Sequence, residues 1–358
     1  MRPAFRFHRS LPALIGFSLL TALASAACGT AAETAVQAPS AAAASPVATA
    51  AADLTHLKVA VLNFTSYGPF FIAQEEGYFT EQGLEVEFVK FDSGAQMIPA
   101  VETGQIDAAA TGPSIGLFNA VAENGKIKIV GDKGYLDPSG CDYMAVLAPP
   151  EWIAANPTPT ADEFRGRKIS IDPSNFEAFM FDKILAPYGL TLADMTAESI
   201  SAPALLDAAT NHSVDFISIG DPWITRLTDT DAMAVWQPYQ KVVPNMQFGI
   251  LVFGESLLRD RPETGIKFMT AYLKAVRQYN KGKTDRNIEI MAQYTKLDAD
   301  LLERACWPPM QNNGSVDLTT ILEFQTWAVA KGLLGKGSTA EALWDSRFVD
   351  GANAALAA

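Results

Sequence analysis

Two short stretches of the chain repeat one another. Ile106-Asp107 is followed by Gly112-Pro113, and Val214-Asp215 by Gly220-Asp221-Pro222, with a spacing of five from aspartate to glycine in each. Both read as a short strand ending at a glycine turn that opens a helix, and such turns can hold a small solute without reacting with it. The residues beside turns of this kind suit recognition. Asn63, Ser93, Ser114, Ser174 and Asn175 offer hydrogen bonds, Tyr67, Phe70, Tyr143, Phe176 and Trp223 offer aromatic faces, and Asp221 offers an acceptor. Some of these have a purely structural alternative: the three serines as helix caps, and Phe70, Phe71 and Phe179 as packing between helix and sheet. Tyr67 and Trp223 sit at the turns themselves, where core packing is harder, and are expected to face a cleft.

Bond-making chemistry finds little support. His8, His56 and His212 are scattered, so no histidine cluster is available for acid–base work or for zinc. Gly282-Lys283-Thr284 resembles the end of a phosphate loop, but Arg277 stands where its leading glycine is needed. No glycine-rich dinucleotide fingerprint follows the first strand. Neither an enzyme nor a metal nor a cofactor is expected.

The elements that must position these residues are legible over Lys58 to Thr111. A strand, Lys58 to Leu62, runs into Thr65-Ser66-Tyr67-Gly68, and Pro69 suits the first turn of a helix that Gly77 closes. Leu84, Val86 and Phe88 alternate with Glu85 and Glu87, the period of a half-buried strand. Ser93-Gly94 introduces a short helix carrying Met97, Ile98 and Val101, closed at Gly104. Further on, Lys168 to Ile171 reads as a strand, and Ser174-Asn175-Phe176-Glu177 as a capping box whose helix ends at Gly189. Later helices begin near Pro262, Asn287 and Asp317.

Four pieces of this sequence together carry a family resemblance: Gly68-Pro69-Phe70-Phe71-Ile72-Ala73, Glu76-Gly77-Tyr78-Phe79, Gly83-Leu84-Glu85-Val86 and Gly104-Gln105-Ile106-Asp107-Ala108. They resemble substrate-binding proteins of bacterial ABC importers, in the branch serving nitrate, sulfonates, taurine, riboflavin and thiamine-precursor pyrimidines. The resemblance implies an α/β, two-lobed periplasmic-binding-protein fold of type II with a ligand cleft between the lobes. On this reading 55–148 is the first part of lobe one, 149–241 is lobe two, and 242–358 returns to lobe one and adds its C-terminal helices. Tyr143 to Leu147 and Phe248 to Phe253 are the strands crossing between lobes. One relative of this branch is a pyrimidine-synthesising enzyme that relies on histidine and a cysteine-rich motif, neither of which is found here.

Ahead of the lobes, Arg2, Arg6 and Arg9 precede a mostly apolar run from Leu11 to Leu23, the pattern of a secretory signal over 1–27. Ser25-Ala26-Ala27-Cys28 looks like a lipoprotein cleavage box that places lipid on Cys28, with ordinary cleavage as the alternative because Ser25 stands where a large aliphatic residue is usual. The Ala-, Thr-, Ser- and Pro-rich stretch 28–54 is expected to be a flexible tether, facing the protein outward from the cell membrane. Without the signal, 24 basic residues stand against 40 acidic ones, a formal charge of −16 that disfavours a nucleic-acid partner. Hydrophobic residues make up 49% of the chain, enough for a large core. Cys141 and Cys306 are expected as two buried free thiols, with pairing in an oxidising compartment as the alternative.

Among the candidate turns only Lys133 is basic, with Arg226 a turn inside its helix. A neutral flat ring is therefore expected, stacked on Tyr67 and Trp223 and accepted by Asp221, with riboflavin first. The alternatives are an alkanesulfonate, taurine, nitrate or a thiamine-precursor pyrimidine. The expected partners are ABC permease and ATPase subunits and, through the anchor, the membrane, with the protein a monomer. A tethered sensor is the alternative of another class.

Overall fold

The computed structural model describes residues 54–358. The signal segment, Cys28 and nearly all of the tether lie outside the described residues.

Ten strands form two five-stranded sheets. The first sheet contains β1 (Thr55–Val61), β2 (Leu84–Lys90), β3 (Ala108–Thr111), β4 (Lys128–Gly134) and β10 (Gly249–Phe253), in the order β2-β1-β3-β10-β4. The second contains β5 (Met144–Ala148), β6 (Lys168–Ser170), β7 (Thr196–Glu198), β8 (Phe216–Gly220) and β9 (Ala234–Pro238), in the order β7-β6-β8-β5-β9. Each sheet has three parallel neighbours and one antiparallel strand inserted beside them: β10 in the first and β5 in the second. The chain therefore leaves one α/β lobe after β4, builds the second, and returns through β10.

Burial explains which strands lie where. Every residue of β10 and β5 is buried, as central strands covered on both faces require, whereas β2 at the edge buries Leu84 and Val86 and exposes Glu85 and Glu87. The expected first strand starts earlier, at Thr55, because Thr55 to Val61 pairs along its whole length with Leu84 to Lys90. Gly77 and Gly104 follow helices Gly68–Glu75 and Met97–Glu102 with φ of +73° and +72°, where a side chain would be strained.

The doubled aspartate pattern corresponds to one piece of construction made twice. Asp107 N–H donates to Lys58 O at 2.9 Å, and its carboxylate accepts the Lys58 N–H at 2.9 Å. Asp215 repeats both bonds with Lys168, at 3.0 and 2.8 Å. Each aspartate thereby pins the start of its strand to the neighbouring parallel strand.

One apolar cluster covers the outer face of the first sheet, with Phe70, Phe79, Phe253 and Phe268, and another that of the second, with Leu147, Ile217, Trp223 and Leu227. A third runs from lobe to lobe through Phe118, Phe324, Phe179 and Phe216. The C-terminal helices near Asn287 and Asp317 begin at Asp285 and Thr319. Among the described residues no helix is long and apolar enough to cross a membrane.

Cys141 and Cys306 form a disulfide, with Cα atoms 5.7 Å apart, and this corrects the expectation of free thiols. Contacts distant in sequence bring them together. The Cys306 N–H donates to an Asp221 carboxylate oxygen at 2.6 Å, and the Thr65 hydroxyl donates to Cys306 O at 2.8 Å, which docks the C-terminal segment beside the start of β5.

Candidate functional site

A cavity of about 110 Å³ lies where the two lobes meet, at the ends of β3, β4 and β8 and the starts of the helices that follow. Tyr67, Ser114, Tyr143, Ser174, Asn175 and Phe176, all singled out from the sequence, line it. Tyr67 belongs to the short 3-10 turn Thr65–Tyr67 and donates its hydroxyl to Ala110 O at 2.6 Å, which fixes the ring against β3. Tyr143 donates to Ser66 Oγ at 2.9 Å, and its ring lies 4.6 Å, centroid to centroid, from that of Phe248. Burial pushes the Tyr67 and Tyr143 hydroxyls well up, so both remain neutral.

The helix starts are engaged across the cleft. Ser114 caps helix Ile115–Asn124 by accepting the Leu117 N–H at 3.2 Å, and Asn175 caps helix Phe176–Leu185 by accepting the Glu177 N–H at 2.9 Å. The capping box expected from Ser174 is not formed and the cap falls one residue later, because the Ser174 hydroxyl turns to Asp172 and donates at 2.6 Å. Ser114 and Asn175 form an isolated antiparallel bridge between the lobes, in which Ile115 N–H donates to Ser174 O at 2.9 Å and Phe176 N–H to Pro113 O at 3.2 Å. These first helical amides are taken up by carbonyls of the opposite lobe.

The charged groups of the cavity are Lys133, Glu177 and Asp172. Lys133, at the end of β4, is 5% exposed, and its ammonium stands 4.2 Å from the Tyr67 ring centroid and 5.7 Å from that of Phe248. Among the described residues no hydrogen-bond acceptor or carboxylate pairs with it. Burial lowers it to about 7, partly opposed by Asp132. Asp132, one residue earlier and hence on the other side of the strand, accepts from Gly134 N–H, Gln247 Nε2 and Gln311 N–H, each at 2.6 Å. Burial nevertheless raises Asp132 to about 6. Glu177 keeps some accessible surface by lining the cavity, yet desolvation, with Asp172 nearby, raises its carboxyl to about 8. The pocket therefore sets an unpaired lysine on lobe one and, on lobe two, a carboxyl whose protonated form is favoured by burial.

Five expected site residues lie outside this lining. Asn63 donates to Thr295 O at 3.0 Å, and Phe70 is buried against Tyr272 with centroids 4.8 Å apart. Ser93 precedes the 3-10 turn Gly94–Gln96 without a side-chain cap. Asp221 already accepts from Cys306 N–H and from the Thr225 N–H and hydroxyl, the last two at 2.9 Å. Trp223 opens helix Trp223–Thr228 and turns into the outer cluster of lobe two, with Arg226 over its ring. In the opposite direction, sequence reasoning noted Lys133 without giving it a role and left out Glu177, Ser66 and Phe248. The sequence of β4, which also carries Lys128 and Asp132, holds no signal that Lys133 is buried; the fold sets it. Among the described residues no group of three or more His, Cys, Asp or Glu could hold a metal ion.

Comparison with known proteins gives a consistent fold. A family described as NMT1/THI5 like matches residues 64–281. The alkanesulfonate-binding protein SsuA from Xanthomonas axonopodis pv. citri, solved with MOPS bound, superposes with a TM-score of 0.66 at 20% identity, covering 82% of this chain and 99% of that one. The periplasmic nitrate-binding protein NrtA from Synechocystis PCC 6803 gives a TM-score of 0.68 at 13% identity, covering 85% of this chain and 89% of that one. A Brucella abortus (strain 2308) protein, which carries only a provisional name as a binding protein, is 20% identical over 234 residues, 65% of this chain and 69% of its own length. These structures share the two-lobed periplasmic-binding-protein architecture seen here.

Proposed function

The chain belongs to the NMT1/THI5-like family, and from that membership and its cleft we propose an extracytoplasmic solute-binding protein of the ABC-importer type that captures one small anionic solute between its lobes. The observation that carries the ligand class is the Lys133 ammonium, buried at the cavity wall and unpaired among the described residues. A buried cation is costly unless a partner compensates it, and an incoming carboxylate, sulfonate or nitrate is such a partner. Tyr67 and Phe248 flank the charge with ring faces, and the protonated Glu177 carboxyl can donate a hydrogen bond to the same solute from the other lobe.

Size supports the same reading. A cavity of about 110 Å³ is well under the roughly 300–1,000 Å³ that drug-sized ligands occupy. A solute of a few heavy atoms is therefore proposed in place of riboflavin. Delivery to permease and ATPase subunits, and anchoring through lipid on Cys28, belong to the same proposal.

Titration calorimetry with nitrate, ethanesulfonate, taurine and riboflavin tests it. One of the small anions should bind at one per chain, and Lys133→Met should weaken that binding by about tenfold or more, the loss of a hydrogen bond to a charged group. Riboflavin binding with all three anions silent, or an unchanged affinity in Lys133→Met, would overturn the assignment.

A further inference from the structure

Helix Thr319–Ala330 belongs to the C-terminal segment but touches both lobes. On the lobe-one side Phe324 packs on Phe118 with ring centroids 5.3 Å apart, and the Thr320 hydroxyl accepts the Gln247 N–H at 3.0 Å. The middle of the helix is tied to the loop that follows it by Gln325, which donates to Ser338 O at 2.9 Å and accepts the Ser338 N–H at 2.8 Å. That loop continues into helix Arg347–Ala357, which packs on lobe one through Phe348 against Phe253 at 5.0 Å.

The other side of the helix meets lobe two at helix Phe176–Leu185, whose first residues face the cleft. Phe179 touches Phe324 and Trp327, at centroid distances of 5.9 and 6.0 Å. Asp182, 8% exposed, accepts the Trp327 indole N–H at 2.9 Å and the Lys331 ammonium at 2.6 Å on one oxygen, and the Leu192 N–H at 2.7 Å on the other. Lys183 and Glu323 add a looser pair at 3.9 Å. Beside these contacts the two helices leave a groove of about 880 Å³. The interface joins ring contacts that continue the buried apolar cluster to two charge-assisted hydrogen bonds on a single carboxylate, and bonds of that kind can be exchanged for water when the surfaces part.

We infer that helix Thr319–Ala330 is a latch: anchored in lobe one, it holds lobe two in the closed position through Trp327 and Lys331 on Asp182, so that opening the cleft requires these contacts to break. It lies behind the same edge of the cleft as the Ser114–Asn175 bridge, since the helices starting at Ile115 and Phe176 both lean on it. The closed state is then favoured by contacts remote from the solute, and their strength sets how far the empty protein opens.

The inference rests on the two-lobed binding reading, but its test needs no solute. Spin labels are placed on cysteines substituted at Asp92 and Pro173, exposed residues beside the cleft on opposite lobes, while the native cysteines stay in their disulfide. Pulsed-EPR distances in the ligand-free protein should show the longer, open population rising by about threefold to tenfold in Trp327→Phe and in Lys331→Met, as expected for loss of one buried or charged hydrogen bond. Lys331 is partly exposed, so its variant folds even where the indole replacement does not. Open fractions equal to wild type in both variants would overturn the latch. That failure is separable from the binding proposal, which stands or falls on Lys133.

Discussion

The Lys133 ammonium sits 4.2 Å above the ring of Tyr67, and the hydroxyl of that same tyrosine is fixed to Ala110 O at 2.6 Å. The ring face offers the charge an attraction on the order of 0.5–2 kcal/mol without consuming any of its hydrogen bonds. The lysine is thus kept inside the protein with its donors still available to the cavity.

Affinity for a small anion should fall as pH rises. Lys133, lowered by burial to about 7, is charged below that pH and ready to pair; above it, binding requires a proton to be taken up. Glu177, raised to about 8, is neutral at pH 7 and becomes a repelling carboxylate beyond that point. Both effects have the same sign. Titration with ethanesulfonate at about pH 6 and about pH 9 should show a loss of at least about tenfold, the effect of one pKa unit or more. A flat profile would mean that Lys133 does not touch the bound anion.

Gly112→Ala should weaken binding through closure. A Cβ on Gly112 would lie 2.9 Å from a ring carbon of Phe176 on lobe two and 3.0 Å from Phe248 O. The backbone there belongs to a crossing segment, so the ring must move and the lobes stop short of full contact. Scattering from the saturated variant should give a larger radius of gyration than wild type, with thermal stability little changed. Equal compaction would show that the ring swings aside without cost.

Breaking the disulfide should destabilise the fold. The bridge joins residues 165 apart, and in the chain-entropy account a loop of that length contributes up to about 5 kcal/mol, with 2–4 kcal/mol typical of measured cases. Cys141→Ser, or reductant added to wild type, should lower the guanidinium midpoint by the equivalent of that range. An unchanged midpoint would contradict the pairing.

What was legible in the sequence was local. The Asp107 and Asp215 patterns could be read because strand start, glycine turn and helix start are contiguous, and both aspartates do the same work on Lys58 and Lys168. Ser114 was readable as a cap for the same reason, whereas the cap expected at Ser174 falls on Asn175 and Ser93 makes no side-chain cap. The polarity of the cavity was not. Whether Lys133 is paired, exposed or buried depends on Tyr67, Phe248 and Asp132 together, from three different strands and turns.

Trp223 and Asp221 lie outside the cavity lining for a related reason. A residue at a turn can point to either face of the sheet, and the choice was made by Ala145 and Leu147 for the indole and by the Cys306 amide, 85 residues away, for the carboxylate. The disulfide was out of reach as well, since nothing near either cysteine in the chain records their separation in space.

The bond between Cys141 and Cys306 also makes a closed covalent ring of the chain between them, and that ring contains the whole of the second sheet together with β10. Any single peptide cut within it opens the ring without releasing a fragment. A chain nicked once by a protease anywhere from residue 142 to 305 would therefore remain one molecule, with both halves of its cleft on a common covalent frame.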